Sequence, residues 1–160
     1  MDLINAAQEV SDYLVEKEGA KLVILSGSTA RGKENPNDLD ISAVFKEDNN
    51  FENNKDYYNT LIKKLTNVVN IKVDLMGFNE FFISTLIKAY SENPIEICKD
   101  LNYKCQDNIK DQLQGWPLAW LFGGDAREKL KPYGCFQDQM KVLYGQEYLE
   151  ELKALAKIGI

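Results

Sequence analysis

Histidine is absent from all 160 residues. Its absence removes Ser-His-Asp and Cys-His hydrolases, HExxH metalloproteases and histidine proton shuttles together. Any general acid or base must then be a carboxylate, a lysine, a tyrosine or a cysteine. Cysteine is scarce too: Cys98, Cys105 and Cys135 are odd in number and form no CxxC pair. Neither a disulfide scaffold nor a zinc ribbon is expected, and the thiols read as reduced, cytoplasmic ones. Basic charge is in deficit, with Lys+Arg of 19 against Asp+Glu of 25 and a net charge of -6, so bulk nucleic-acid binding is not expected. No apolar run approaches the roughly 18 residues of a membrane span. Met1 to Asn5 lacks the basic and apolar stretches of a signal peptide. No membrane partner and a cytoplasmic location are expected, and no internal repeat or low-complexity segment is visible.

What is present is 44% hydrophobic and 28% charged, the profile of a globular chain that builds its core without metal or disulfide staples. Leu3, Ala7, Val10 and Leu14 recur at helical spacing before Gly19, which predicts an amphipathic helix from about Asp2 to Glu18. The continuous run Lys21 to Gly27 predicts a strand buried on both faces. Asp38 to Phe45 alternates, with Leu39, Ile41, Ala43 and Phe45 on one side and Asp38, Asp40 and Ser42 on the other. A polar loop to Asn54, a helix from about Lys55 to Leu65 and a third strand over Asn70–Met76 follow, with Asp74 opposite the buried Ile71, Val73 and Leu75. Asn79 caps a helix running to about Glu92, and Ile95–Cys98 reads as a short edge strand. The order of elements predicts an α/β (α+β) domain, a small mixed sheet flanked by helices. Residues 1–104 form its core, and 105–160 a helical extension packed on it, with helix across Gln137–Ile158.

Chemistry concentrates at three places. Two aspartates separated by one strand residue, Asp38 and Asp40, share a face, and carboxylates that close repel unless a cation lies between them. Magnesium, a hard ion with oxygen ligands, suits them. If the third strand pairs beside the second, Asp74 joins. Three carboxylates can then hold two metal ions about 3.5 to 4 Å apart, the geometry of phosphoryl and nucleotidyl transfer. The turn after the first strand supplies the other half: Gly27 permits close backbone approach to a phosphate, and Ser28 offers a hydroxyl and an N–H. A lone Gly-Ser turn or Asp-x-Asp is usually only a turn or a solvated strand edge; the ordered set is what points to a site.

Gly27-Ser28, nine intervening residues and Asp38-Leu39-Asp40-Ile41 resemble the signature of the DNA polymerase beta-like nucleotidyltransferase superfamily, and Asp74 stands where that family carries its third carboxylate. The string Gly27-Ser28-Thr29-Ala30-Arg31-Gly32 is most similar to its minimal nucleotidyltransferase branch. The resemblance covers roughly residues 1 to 100 and implies the nucleotidyltransferase fold. It implies that Gly27 and Ser28 bind the β and γ phosphates of an NTP, ATP being the expected donor, with Arg31 facing phosphate. It further implies that Asp38 and Asp40 ligate two Mg²⁺ ions, and that Asp74 binds the catalytic one and helps activate an acceptor hydroxyl.

Gly27 to Lys33 also reads as the first seven positions of a P-loop, but Glu34 replaces the Ser or Thr that would bind magnesium and Pro36 breaks the helix that should follow. For the acceptor, the resemblance implies either a HEPN-type protein partner, AMP-capped by an antitoxin of a toxin-antitoxin system, or a small-molecule alcohol held by a dimer. A non-catalytic nucleotide-binding module is the remaining alternative. Tyr57 and Tyr58 read as half core and half surface, Trp116, Trp120 and Phe122 as packing, Asp125 as a helix cap, and the lysines as solvated faces.

Overall fold

The computed structural model describes residues 2–30, 32, 37–46, 55–81, 83–84 and 141–155. Helix α1 (Leu3–Glu18) starts where the Asp2 side chain accepts the Ile4 N–H at 3.2 Å, and it ends at Gly19, whose φ of 70° is left-handed. Ala6, Ala7, Val10, Ser11 and Leu14 make its buried stripe. Strand β1 (Ala20–Ser26) follows, then the short helix α2 (Gly27–Ala30) and strand β2 (Asp38–Phe45). Helix α3 (Lys55–Val69) connects β2 to strand β3 (Lys72–Asn79). Strand β4 (Lys141–Tyr144) and helix α4 (Gln146–Leu155) complete the described elements.

The four strands form one mixed sheet in the order β3-β2-β1-β4. β2 and β3 run parallel, as a helical crossover requires, while β1 is antiparallel to both β2 and β4. Val23, Leu25, Leu39, Ile41, Ala43, Phe45, Val73 and Leu75 share a buried cluster with residues of α1 and α3, which pack beside one another. Leu22, Ile24 and Val44, on the alternate positions, are buried as well. β1 is thus buried on both faces, as its unbroken apolar run predicts.

Three boundaries differ from expectation. α3 continues past Leu65 to Val69 because Leu61, Leu65 and Val69 sustain one buried stripe, and Asn70 closes it with a φ of 55°. β3 runs through Gly77 to Asn79, since it stays in register with β2 as far as Phe45. The expected helix across Gln137–Ile158 is corrected: Lys141–Tyr144 is a strand on the open edge of β1, and among the described residues of that span the helix is Gln146–Leu155. Asn79 is the last residue of β3, and its side chain accepts the Phe81 N–H at 2.7 Å, as a cap would. Residues 80–81 and 83–84 of its expected helix are helical, while its stretch from residue 85 on, Ile95–Cys98, the Trp116 to Phe122 segment and Asp125 lie outside the described residues.

Contacts divide the chain into two compact units, residues 1–82 with 138–148, and 83–137 with 149–160. The sheet and the site described next belong to the first. In the second, the described residues Ile83, Leu149 and Leu152 are buried. Among the described residues, no helix is long and apolar enough to cross a membrane.

Candidate metal centre

β2 opens with Asp38-Leu39-Asp40, and strand alternation sends Leu39 into the core while both aspartates stand half-buried on the opposite face. The parallel register sets Asp40 beside Asp74 and Asp38 beside Lys72. On the other flank, the antiparallel register sets Ser26, the last residue of β1, beside Asp40. The end of β1 and the starts of β2 and β3 therefore meet at one place. There one carboxylate oxygen each from Asp38, Asp40 and Asp74 lies within 4.8 Å of the other two.

Two buried hydroxyls hold the aspartate-bearing backbone. Ser26 Oγ donates to the Asp40 carbonyl at 3.2 Å, and Thr29 Oγ1 donates to the Asp38 carbonyl at 3.4 Å. Ser26 is 1% and Thr29 5% exposed, so neither bond is contested by bulk water. They tie the start of β2 to the end of β1 and to α2. Gly27 and Ser28 open α2 directly after Ser26, at this same end of the sheet. Arg31 lies outside the described residues.

Three carboxylates this close need positive charge. Lys72 provides some: its Nζ is 3.5 Å from Asp74 Oδ1 and 3.8 Å from Asp38 Oδ2. Tyr58 of α3 has its phenol pushed up to about 12, chiefly by burial and further by the Asp74 charge, against a backbone hydrogen bond from Gly77. It remains protonated at neutral pH and cannot serve as a base there. Tyr57 is exposed and its hydroxyl donates to the Glu18 carboxylate, so the pair is indeed half core and half surface.

Sequence reasoning missed Ser26, Thr29 and Lys72. For Lys72 a signal existed, because it precedes Asp74 by two residues on a strand and so must share its face. Its partnership with Asp38 depends on inter-strand register, which alternation does not supply.

The donor set fits a hard divalent cation. Oxygens around Mg²⁺ stand about 2.1 Å from the ion, so neighbouring ligands are about 3 Å apart and opposite ones about 4.2 Å. The 4.8 Å span of the three oxygens comes within reach of that geometry by small side-chain rotations. Neutral nitrogen and thiolate ligands, the marks of zinc, are missing from the cluster.

The chain matches one protein family, described as the nucleotidyltransferase domain, over residues 7–103. No curated protein and no solved structure matches it significantly. The matched span contains β1, α2, β2, α3 and β3, and with them every described residue of the acidic cluster. The match covers more than half of the 160 residues, and the chain belongs to the nucleotidyltransferase domain family.

Proposed function

We propose that this nucleotidyltransferase moves AMP from ATP onto an acceptor hydroxyl, with Mg²⁺ as its cofactor. The observation that carries the proposal is the convergence of Asp38, Asp40 and Asp74 within 4.8 Å, at the end of the sheet where Gly27 and Ser28 follow β1. In this reading Asp38 and Asp40 hold two Mg²⁺ ions and Asp74 holds the catalytic one. Bound there, the ions neutralise the charge that develops on the transferring phosphoryl group. Gly27 and Ser28 receive the β and γ phosphates, and Arg31 faces phosphate.

The acceptor oxygen forms a bond to the α phosphorus. The bond from that phosphorus to the β-bridging oxygen breaks, and pyrophosphate leaves with the electron pair. The acceptor proton passes to the Asp74 carboxylate, since Tyr58, whose phenol the Asp74 charge helps push up, is held protonated. Ser26 and Thr29 fix the backbone of the aspartates, which favours the pre-organised geometry that such transfers depend on. The net charge of -6 supports an acceptor that is not a nucleic-acid end. Resemblance to the minimal branch favours a tyrosine of a HEPN-type protein partner over a small-molecule alcohol.

The test is pyrophosphate release from each of the four NTPs with Mg²⁺, in the presence of protein and small-alcohol acceptors. ATP should give the fastest release, and Asp40→Asn should fall to background while remaining folded. Tight ATP binding with no pyrophosphate released on any acceptor would replace transfer with a nucleotide-binding role.

A further inference from the structure

Lys72 is exposed on its outer side, yet it occupies a singular position. It pairs with Asp38 across the parallel register and shares a strand face with Asp74. Its ammonium reaches both carboxylates, at 3.8 and 3.5 Å, beside the three oxygens that converge within 4.8 Å. A monovalent cation is therefore already seated at the carboxylates that would receive a divalent one. Its side chain is 64% exposed, and pairs of this kind are individually weak, so the ammonium can leave without disturbing the core. The lysine stem is long and flexible, and solvent is at hand to receive its charge.

We propose that Lys72 is the displaceable counter-ion of this metal centre. Its ammonium keeps the carboxylates converged before the metal arrives, and the metal expels it by competing for the same oxygens. The inference rests on the reading of the three aspartates as metal ligands. Metal affinity then includes the free energy of breaking the two Lys72 contacts, and the metal-free protein depends on Lys72 in a way the metal-bound protein does not.

The test is a Mn²⁺ titration without nucleotide, reading free Mn²⁺ by electron paramagnetic resonance, with the thermal midpoint measured alongside at low ionic strength. Lys72→Met keeps an apolar stem and removes the competitor, so it should bind Mn²⁺ about threefold to tenfold more tightly. Without metal it should melt below wild type, and saturating Mn²⁺ should close that gap. Lys72→Arg should stay within about twofold of wild type. Lys63→Met, which deletes the same charge from the exposed side of α3, should do likewise. Equal or weaker Mn²⁺ binding by Lys72→Met would overturn the counter-ion role while leaving the metal site standing. Equal tightening by Lys63→Met would also overturn it, by showing an effect of net charge alone. If the wild type binds no Mn²⁺ and Asp40→Asn changes nothing, the metal centre itself is refuted and the counter-ion role with it.

Discussion

Replacing Gly145 with alanine should be far more damaging than the same change at Gly19 or Gly32. Gly145 joins β4 to α4 with a φ of 92°, where an L side chain is strained. A Cβ there would stand 2.1 Å from the Lys21 carbonyl oxygen and 2.9 Å from the Leu22 Cα, both backbone atoms of β1. The conformational part costs about 1–2 kcal/mol, and forcing the backbone apart adds about 1–3 kcal/mol. The total, about 2–5 kcal/mol, is a large share of the stability of an ordinary domain. At this chain length it corresponds to a fall of about 5–15 °C in Tm. Gly19→Ala is the control, since Gly19 also has a positive φ of 70° but its Cβ would meet only the Lys46 Cδ, at 4.0 Å. It should lose only the conformational part, about 1 kcal/mol. Urea unfolding of both variants separates the two contributions. A Gly145→Ala variant no less stable than Gly19→Ala would refute the close approach of this turn to β1.

Asp40→Asn should lower turnover at least ~100-fold, because charge at the reacting phosphorus goes unbalanced. The same variant should raise the metal-free Tm by relieving repulsion among three carboxylates, a paired outcome read by pyrophosphate assay and calorimetry. Ser26→Ala removes the hydroxyl that holds the Asp40 carbonyl and should cost about 1 kcal/mol in urea unfolding, with kcat falling more than KM rises. Tyr58 gives a pH signature: its phenol rises from 10.0 to about 12 on folding, so in that window the unfolded chain ionises first and binds fewer protons. Its stabilisation, about 2–3 kcal/mol at most, is complete below pH 10 and is lost as pH rises through 12. Tyr58→Phe should flatten the fall in urea midpoint between those limits, and an unchanged slope would contradict the assignment.

Much of this architecture is legible in local pattern. The helical stripe ending at Gly19, the unbroken apolar run of β1 and the alternation of β2 each encode one element and its buried face. The two aspartates of β2 share a face by period alone, and the Gly27-Ser28 turn precedes them at a fixed spacing. Asp74 is different. Its place beside Asp40 is set by the parallel register of β3 on β2, a non-local pairing that its own strand does not specify. Lys72 meets Asp38 for the same reason. The sequence of β4 reads as helix because Met140, Leu143 and Tyr144 also satisfy a helical period, and four residues are too few to separate the patterns. What makes them a strand is the open edge of β1, supplied from more than a hundred residues away in sequence, together with the glycine turn at Gly145.

Paired isotopic labelling asks whether the acidic cluster directs attack at the α phosphorus of a nucleotide. The full chain is incubated with Mg²⁺ and acceptor, once with α-³²P-labelled ATP and once with γ-³²P-labelled ATP. Label should reach the acceptor from the α position alone, all of it dependent on Asp40 and Asp74. Label arriving from the γ position, or α label that persists in Asp40→Asn, would contradict it.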